Sequence, residues 1–208
     1  MRDRVNKQWD DFPLDSDEEY LFLCWYEEAE SMGLVGNLMR QPEFSLSPRQ
    51  TREVKAPTKT NPDKTKEKFL LHPHSYKADF SFEVVLHNDK DGNLTPIINS
   101  LGSKRPDDLI HQDIQGRNIC VVDVKGGFAG HQSRNSSDVT FANNQKWVYD
   151  KYKIYVNKVV IAAKKGLFKN FWAPDAAFTT IKGNPSTVYR ACCRCADVKK
   201  CITNRIWR

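Results

Sequence analysis

The segment NICVVDV at 118–124 constrains the fold more than any other stretch of the chain. Its apolar residues run on without the alternation of a strand that has one wet face. Such a run reads as a strand buried on both faces. Two other strong strands are expected, at YKADFSFEVVLH (76–87) and IYVNKVVIAA (154–163), with a short one at QPEFSL (41–46). Helices to cover the sheet are expected at two places. Ser16 stands where an N-cap would, with Glu19 at capping-box spacing, so a helix should run over about 17–32 and stop at Gly33. Its middle, YLFLCWY (20–26), is apolar enough to be well buried. FANNQKWVYDKYK (141–153) reads as the second helix. The order helix, strands, helix, strand predicts an α/β or α+β domain with a central mixed sheet.

The segments between are polar. Residues 1–15 read as an extended arm, and 47–68 as a basic, proline-containing loop with no hydrophobic period. NDKDGN (88–93) has turn chemistry, 94–116 reads as an irregular insertion, and KGGFAGHQSRNSS (125–137) as a glycine- and serine-rich loop. The 208 residues suit one domain, or one with a small appendage. A hydrophobic share of 39% excludes wholesale disorder. No apolar run approaches the roughly 18 residues of a membrane span, and the first residues lack the apolar core of a secretory signal, so a cytoplasmic protein is expected.

The net charge of +6 is unevenly spread. Residues 10–30 hold nine acids and no Lys or Arg, residues 49–68 hold seven bases against three acids, and residues 182–208 hold seven bases against one acid. Basic segments beside an acidic helix suit a polyanionic partner together with a divalent cation. The bases that would grip phosphates are Arg49, Arg52, Lys55, Lys59, Lys64, Lys66 and Lys68, and towards the C-terminus Arg190, Arg194, Lys199 and Lys200.

Three residues carry the chemistry. Asp79 lies early in one strand, and Asp123 and Lys125 at the end of another. Side chains alternate along a strand, so Asp123 and Lys125 point to one face. A carboxylate and an ammonium at the end of an apolar strand are costly unless they serve something. With Asp79 on a neighbouring strand and the carbonyl of Val124, they would form a hard oxygen site suited to Mg²⁺ or Mn²⁺. Lys125 beside it would orient a water and neutralise charge developing on a phosphate. No G-x-x-x-x-G-K-[ST] occurs, so no ATP-driven motor is expected in this chain.

The D…DxK arrangement resembles the PD-(D/E)xK nuclease superfamily, with Ala78 in place of the family's proline and Asp123 in place of the commoner Glu. The resemblance implies a restriction-endonuclease-like core spanning 1–181, with the basic loop at 47–74. It implies a Mg²⁺-dependent deoxyribonuclease in which Glu19, Asp79 and Asp123 hold the metal and Lys125 positions the attacking water. The run SDEEYLFLCWYEEAE, the QP-containing strand and the YxADF strand resemble small phage-associated members. Gln145 and Tyr149 resemble the Q-x-x-x-Y of RecB-type nucleases, which implies a role in holding DNA and ordering the site. The implied setting is phage or bacterial DNA processing, recombination or repair, with a helicase or recombination protein as partner.

Four of the six cysteines crowd together, at Cys192, Cys193, Cys195 and Cys201. Without a secretory signal, such spacing reads as metal ligation rather than disulfide bonding. A subset of RecB-type nucleases carries C-x2-C-x5-C near the C-terminus and one cysteine far upstream, which together bind a 4Fe–4S cluster. By that resemblance Cys24, Cys192, Cys195 and Cys201 are the ligands, and 182–208 is a basic, Cys-rich tail packed on the same domain. Cys24 lies about 140° around the helix from Glu19 and about 7.5 Å along it, so one helix could serve both sites. A structural Zn²⁺ held by the four C-terminal thiolates is the alternative. A non-catalytic nucleic-acid-binding protein with a C-terminal zinc module is the alternative function.

Overall fold

The computed structural model describes residues 8–9, 12–88, 94–96, 110–126, 136–162, 165–170, 172–174 and 177. A short pair, β1 (Gln8–Trp9) and β2 (Phe12–Pro13), precedes helix α1 (Asp17–Ser31). Six strands follow: β3 (Val35–Arg40), β4 (Glu43–Ser47), β5 (Gln50–Lys55), β6 (Thr65–Leu71), β7 (His74–Lys77) and β8 (Phe80–Val84). β9 (Leu86–Asn88) pairs with β10 (Leu94–Pro96). β11 (Ile110–Gln112) leads to β12 (Asn118–Gly126), helix α2 (Ser136–Tyr152), β13 (Val156–Ala162), β14 (Lys165–Gly166) and the short α3 (Leu167–Asn170).

The central sheet has the order β14-β13-β12-β8-β3, with β11 also paired to β12. β12 and β13 are parallel, and α2 is the crossover between them; the other pairs are antiparallel. The sheet is therefore mixed, and the fold is α/β. β12 alternates strictly. Cys120, Val122 and Val124 face α1, where they meet Phe22, Leu23, Trp25 and Tyr26. Val121 faces α2 and packs with Phe44, Tyr76, Phe141 and Val148. Both faces of β12 are covered, as its unbroken apolar run requires. No helix among the described residues is long and apolar enough to cross a membrane.

Helix α1 begins and ends as expected. The Ser16 hydroxyl accepts from the Glu19 N–H at 3.1 Å. At the other end Gly33 has φ +71, the Leu34 N–H donates to Ala29 O at 3.0 Å and the Gly33 N–H to Glu30 O at 2.8 Å. That is a Schellman cap, which a glycine makes without strain.

Five expectations are corrected. The segment 47–68 is not a loop throughout: 50–55 and 65–68 are strands of the β5–β6 ribbon, held by backbone pairing while nearly every side chain stays exposed, which is why no hydrophobic period marks it. β3 precedes the short strand expected at 41–46; a register shift between Gly36 and Met39, with Asn37 at φ 52, breaks its alternation. The strand expected over 76–87 is three strands, broken at Ala78–Asp79 and at Val85. α2 begins at Ser136, five residues earlier than expected, and β12 continues to Gly126. Residues 182–208, with Arg190, Arg194, Lys199, Lys200, Cys192, Cys195 and Cys201, lie outside the described residues.

Candidate active site

The position of Asp79 follows from a bent ribbon. β3 and β8 pair through Arg40↔Phe80, and the same two chain segments continue as β4 and β7 through Glu43↔Lys77. The bend between them is Gln41–Pro42 facing Ala78–Asp79. There the Gln41 N–H donates to Asp79 O at 2.9 Å and the Ala78 N–H to Pro42 O at 3.1 Å. Gln41 takes φ 48, a left-handed conformation that costs on the order of 1 kcal/mol or more. Ala78 is fully buried, and its N–H bond explains the absence of proline, which has no N–H to give.

Beyond the bend, β7 leaves the central sheet to pack Tyr76 with Phe44 under α2. β12 thereby loses its neighbour after Val122, whose carbonyl still accepts from the Asp79 N–H at 3.1 Å. The next outward N–H on that edge, at Val124, donates to Asp79 Oδ2 at 2.6 Å. The Asp79 side chain thus takes the ladder position the departing strand leaves open. A residue in a strand sends its N–H and C=O to the same side, so the Val124 carbonyl faces the Asp79 edge too.

Asp123 and Lys125 share the α2-facing side of β12, as alternation predicts. Asp123 is only 4% exposed. Its Oδ1 is ion-paired with the Lys125 ammonium, and its Oδ2 accepts from the Tyr76 hydroxyl at 2.5 Å. The ammonium also lies 5.8 Å from the centre of the Phe141 ring, on α2.

The electrostatics tie these groups together. Burial pushes the Asp79 carboxyl up to about 7, the Asp123 charge adds to the rise, and the Val124 N–H bond opposes it. Glu19 raises it further and Lys125 lowers it. The Tyr76 hydroxyl is held far above the ordinary phenol range, first by burial and then by the Asp123 charge, so it stays a donor.

The other expected residues fall in different places. The Glu19 carboxylate is turned to its own helix start, accepting from Ser16 Oγ at 3.1 Å and Asp15 N at 3.3 Å. Burial raises its carboxyl. Its neighbour Glu18 reaches the end of β12 instead: a Cβ built on Gly126 would stand 2.9 Å from Glu18 Oε1. Gln145 donates to the Val156 carbonyl at 2.6 Å, a backbone bond at the start of β13. Tyr149 is exposed and lies about 12 Å along α2 from Phe141, the helix residue at the level of Lys125. Cys24 is half-buried on α1, away from a disulfide, and its three expected partners are outside the described residues.

One contributor, Tyr76, was missed by sequence reasoning: it stands three residues from Asp79, so alternation gives no sign of it, and the bend at Ala78–Asp79 is what brings it to Asp123.

A divalent cation fits the donor chemistry of this site. Asp123 is buried and Asp79 half-buried, the two carboxylates raise each other's energy when both are charged, and a hard cation relieves such a pair. Among the described residues no set of three His, Cys, Asp or Glu side chains is grouped to hold a metal, so the fit rests on two carboxylates and the Val124 carbonyl, without Glu19. Comparison with protein-family models, curated proteins and solved structures found no match to this chain.

Proposed function

We propose that the protein is a metal-dependent deoxyribonuclease of the PD-(D/E)xK type, with a restriction-endonuclease-like core. The observation that carries this is the meeting of Asp79, Asp123 and Lys125, from two separate stretches of sequence, at one end of the buried strand β12. Asp79, Asp123 and the Val124 carbonyl would hold Mg²⁺ or Mn²⁺. When bound, the ion would lower the pKa of a water and offset charge on the phosphate. Tyr76 fixes the orientation of Asp123 through its hydroxyl. Lys125 supplies an ammonium at the same face, placed to orient a water and to neutralise charge developing on phosphate oxygens. Phe141 keeps one side of that ammonium dry.

A second reading has its own support. Both Asp123 oxygens already have partners in Tyr76 and Lys125, which is what a structural ion pair would show. On that reading the protein binds nucleic acid without cutting it, and Cys192, Cys193, Cys195 and Cys201 would form a zinc module. In the nuclease reading Cys24, Cys192, Cys195 and Cys201 would instead hold a 4Fe–4S cluster.

A cleavage assay on labelled DNA separates the two. Wild type should cut with Mg²⁺ or Mn²⁺ and stop with EDTA. Asp123→Ala and Lys125→Ala should each lose at least about a hundredfold in cleavage while still binding DNA. Failure of wild type to cut duplex, single-stranded or branched DNA with either metal would hand the case to the binder.

A further inference from the structure

The register of the β5–β6 ribbon sorts its charges by face. Arg52 stands opposite Lys68 and Val54 opposite Lys66, while Glu53 stands opposite Glu67 and Lys55 opposite Thr65. Alternation then puts Arg52, Lys66 and Lys68 on one face with no acid among them, and both glutamates on the other face with Lys55. Like charges directly opposite each other destabilise a strand pair, so this register is not what the ribbon's own stability favours. Among the described residues, Arg52, Lys66 and Lys68 have no carboxylate at salt-bridge distance. The ribbon also has no core of its own: every residue of β6 is exposed, and in β5 only Val54 is partly covered. A bare two-stranded hairpin is marginal in water, and this one continues into the paired strands β4 and β7.

We propose that the Arg52–Lys66–Lys68 face is a docking surface for duplex DNA, laid in the major groove with the three cations on phosphates. Charge complementarity selects a polyanion. Shape selects the duplex, because the major groove of B-DNA, about 12 Å wide, admits a two-stranded ribbon. Lys66 and Lys68 are about 6.8 Å apart along the strand. The deep, narrow major groove of an RNA duplex does not take such an element. The inference rests on the nucleic-acid partner proposed for the protein and not on cleavage.

The test is fluorescence anisotropy with the full chain and a short labelled DNA duplex in EDTA, over a salt series. The triple variant R52Q/K66Q/K68Q should bind roughly tenfold more weakly or worse, with the slope of log affinity against log salt reduced by about 2.7. The triple K55Q/K59Q/K64Q removes the same charge from bases that the sequence also assigned to phosphates but that lie on the other face and the tip, and should weaken binding at least about threefold less than the first triple. Equal losses in the two triples would overturn the proposal, since they would mean that charge acts without regard to face. Should the first triple misfold by circular dichroism, E53K/E67K decides: affinity within about threefold of wild type supports a one-sided ribbon, and a large gain overturns it. Single-stranded DNA or RNA duplex competing as well as DNA duplex would also overturn it. Face-dependent binding in a protein that never cuts would leave this inference standing and remove hydrolysis. Cutting by wild type with unchanged binding by the first triple would do the reverse.

Discussion

Asp79 combines two tasks in one carboxylate. One oxygen closes the open edge of β12 through the Val124 N–H, and the half-buried group as a whole feels the Asp123 charge. Its proton equilibrium has a consequence for stability. With the carboxyl raised to about 7 in the folded protein and ordinary when unfolded, the folded state holds the extra proton between about pH 4 and 7. Stability from this group is therefore present at low pH and is lost as pH rises through 7. Asp79→Asn keeps an acceptor for Val124 and removes the charge. In EDTA it should raise stability at pH 8 by on the order of 1–2 kcal/mol and change little at pH 5, as thermal melts at the two pH values will show. Tyr76→Phe should act in the opposite sense, destabilising by about 1–3 kcal/mol in urea unfolding, because it takes a hydrogen bond from the buried Asp123. That Asp123 and Lys125 share a face was legible in the sequence, because strand alternation alone puts them there. The bend at Ala78–Asp79 was not legible, since it depends on β4 and β7 packing under α2, a tertiary contact.

At the scale of elements, α1 was read almost residue for residue, because caps are local chemistry. Ser16 and Glu19 act within one turn of each other at the helix start, and Gly33 acts with Glu30 within one turn at its end. The same locality decides what Glu19 does: its oxygens are engaged at the helix start, so Glu19→Ala should cost roughly 1 kcal/mol in stability, as Ser16→Ala should. In a cleavage assay Glu19→Ala should stay within about tenfold of wild type, far from the loss at Asp123→Ala. A Glu19 variant as inactive as Asp123→Ala would show that the carboxylate turns away from Ser16 to act in the site. The β5–β6 ribbon is the opposite case. Sequence patterning reports burial, and a ribbon with two wet faces leaves no pattern, so its strands read as loop.

Across the whole molecule, the order helix, strands, helix, strand carried through to a mixed sheet with helices on both faces. What ties the fold to the site is the way β12 is used. Its first residues pair on both sides and build the core, while its last ones lose β8 and gain Asp79. A segment near the end of the described chain is pinned to α1 by the Trp172 indole N–H, which donates to Glu28 Oε2 at 2.8 Å. The cysteine-rich segment lies outside the described residues, and metal analysis of protein purified without oxygen will tell iron with sulfide from zinc and from no metal.

The central claim is that Asp79 and Asp123 share one hard cation. Manganese binding followed by electron paramagnetic resonance tests it directly, with wild type, Asp79→Asn and Asp123→Asn titrated under the same conditions. Tight Mn²⁺ uptake by wild type that is lost in both variants, and competed by Mg²⁺, is the predicted result. Uptake that is absent in wild type, or unchanged by either substitution, would contradict it.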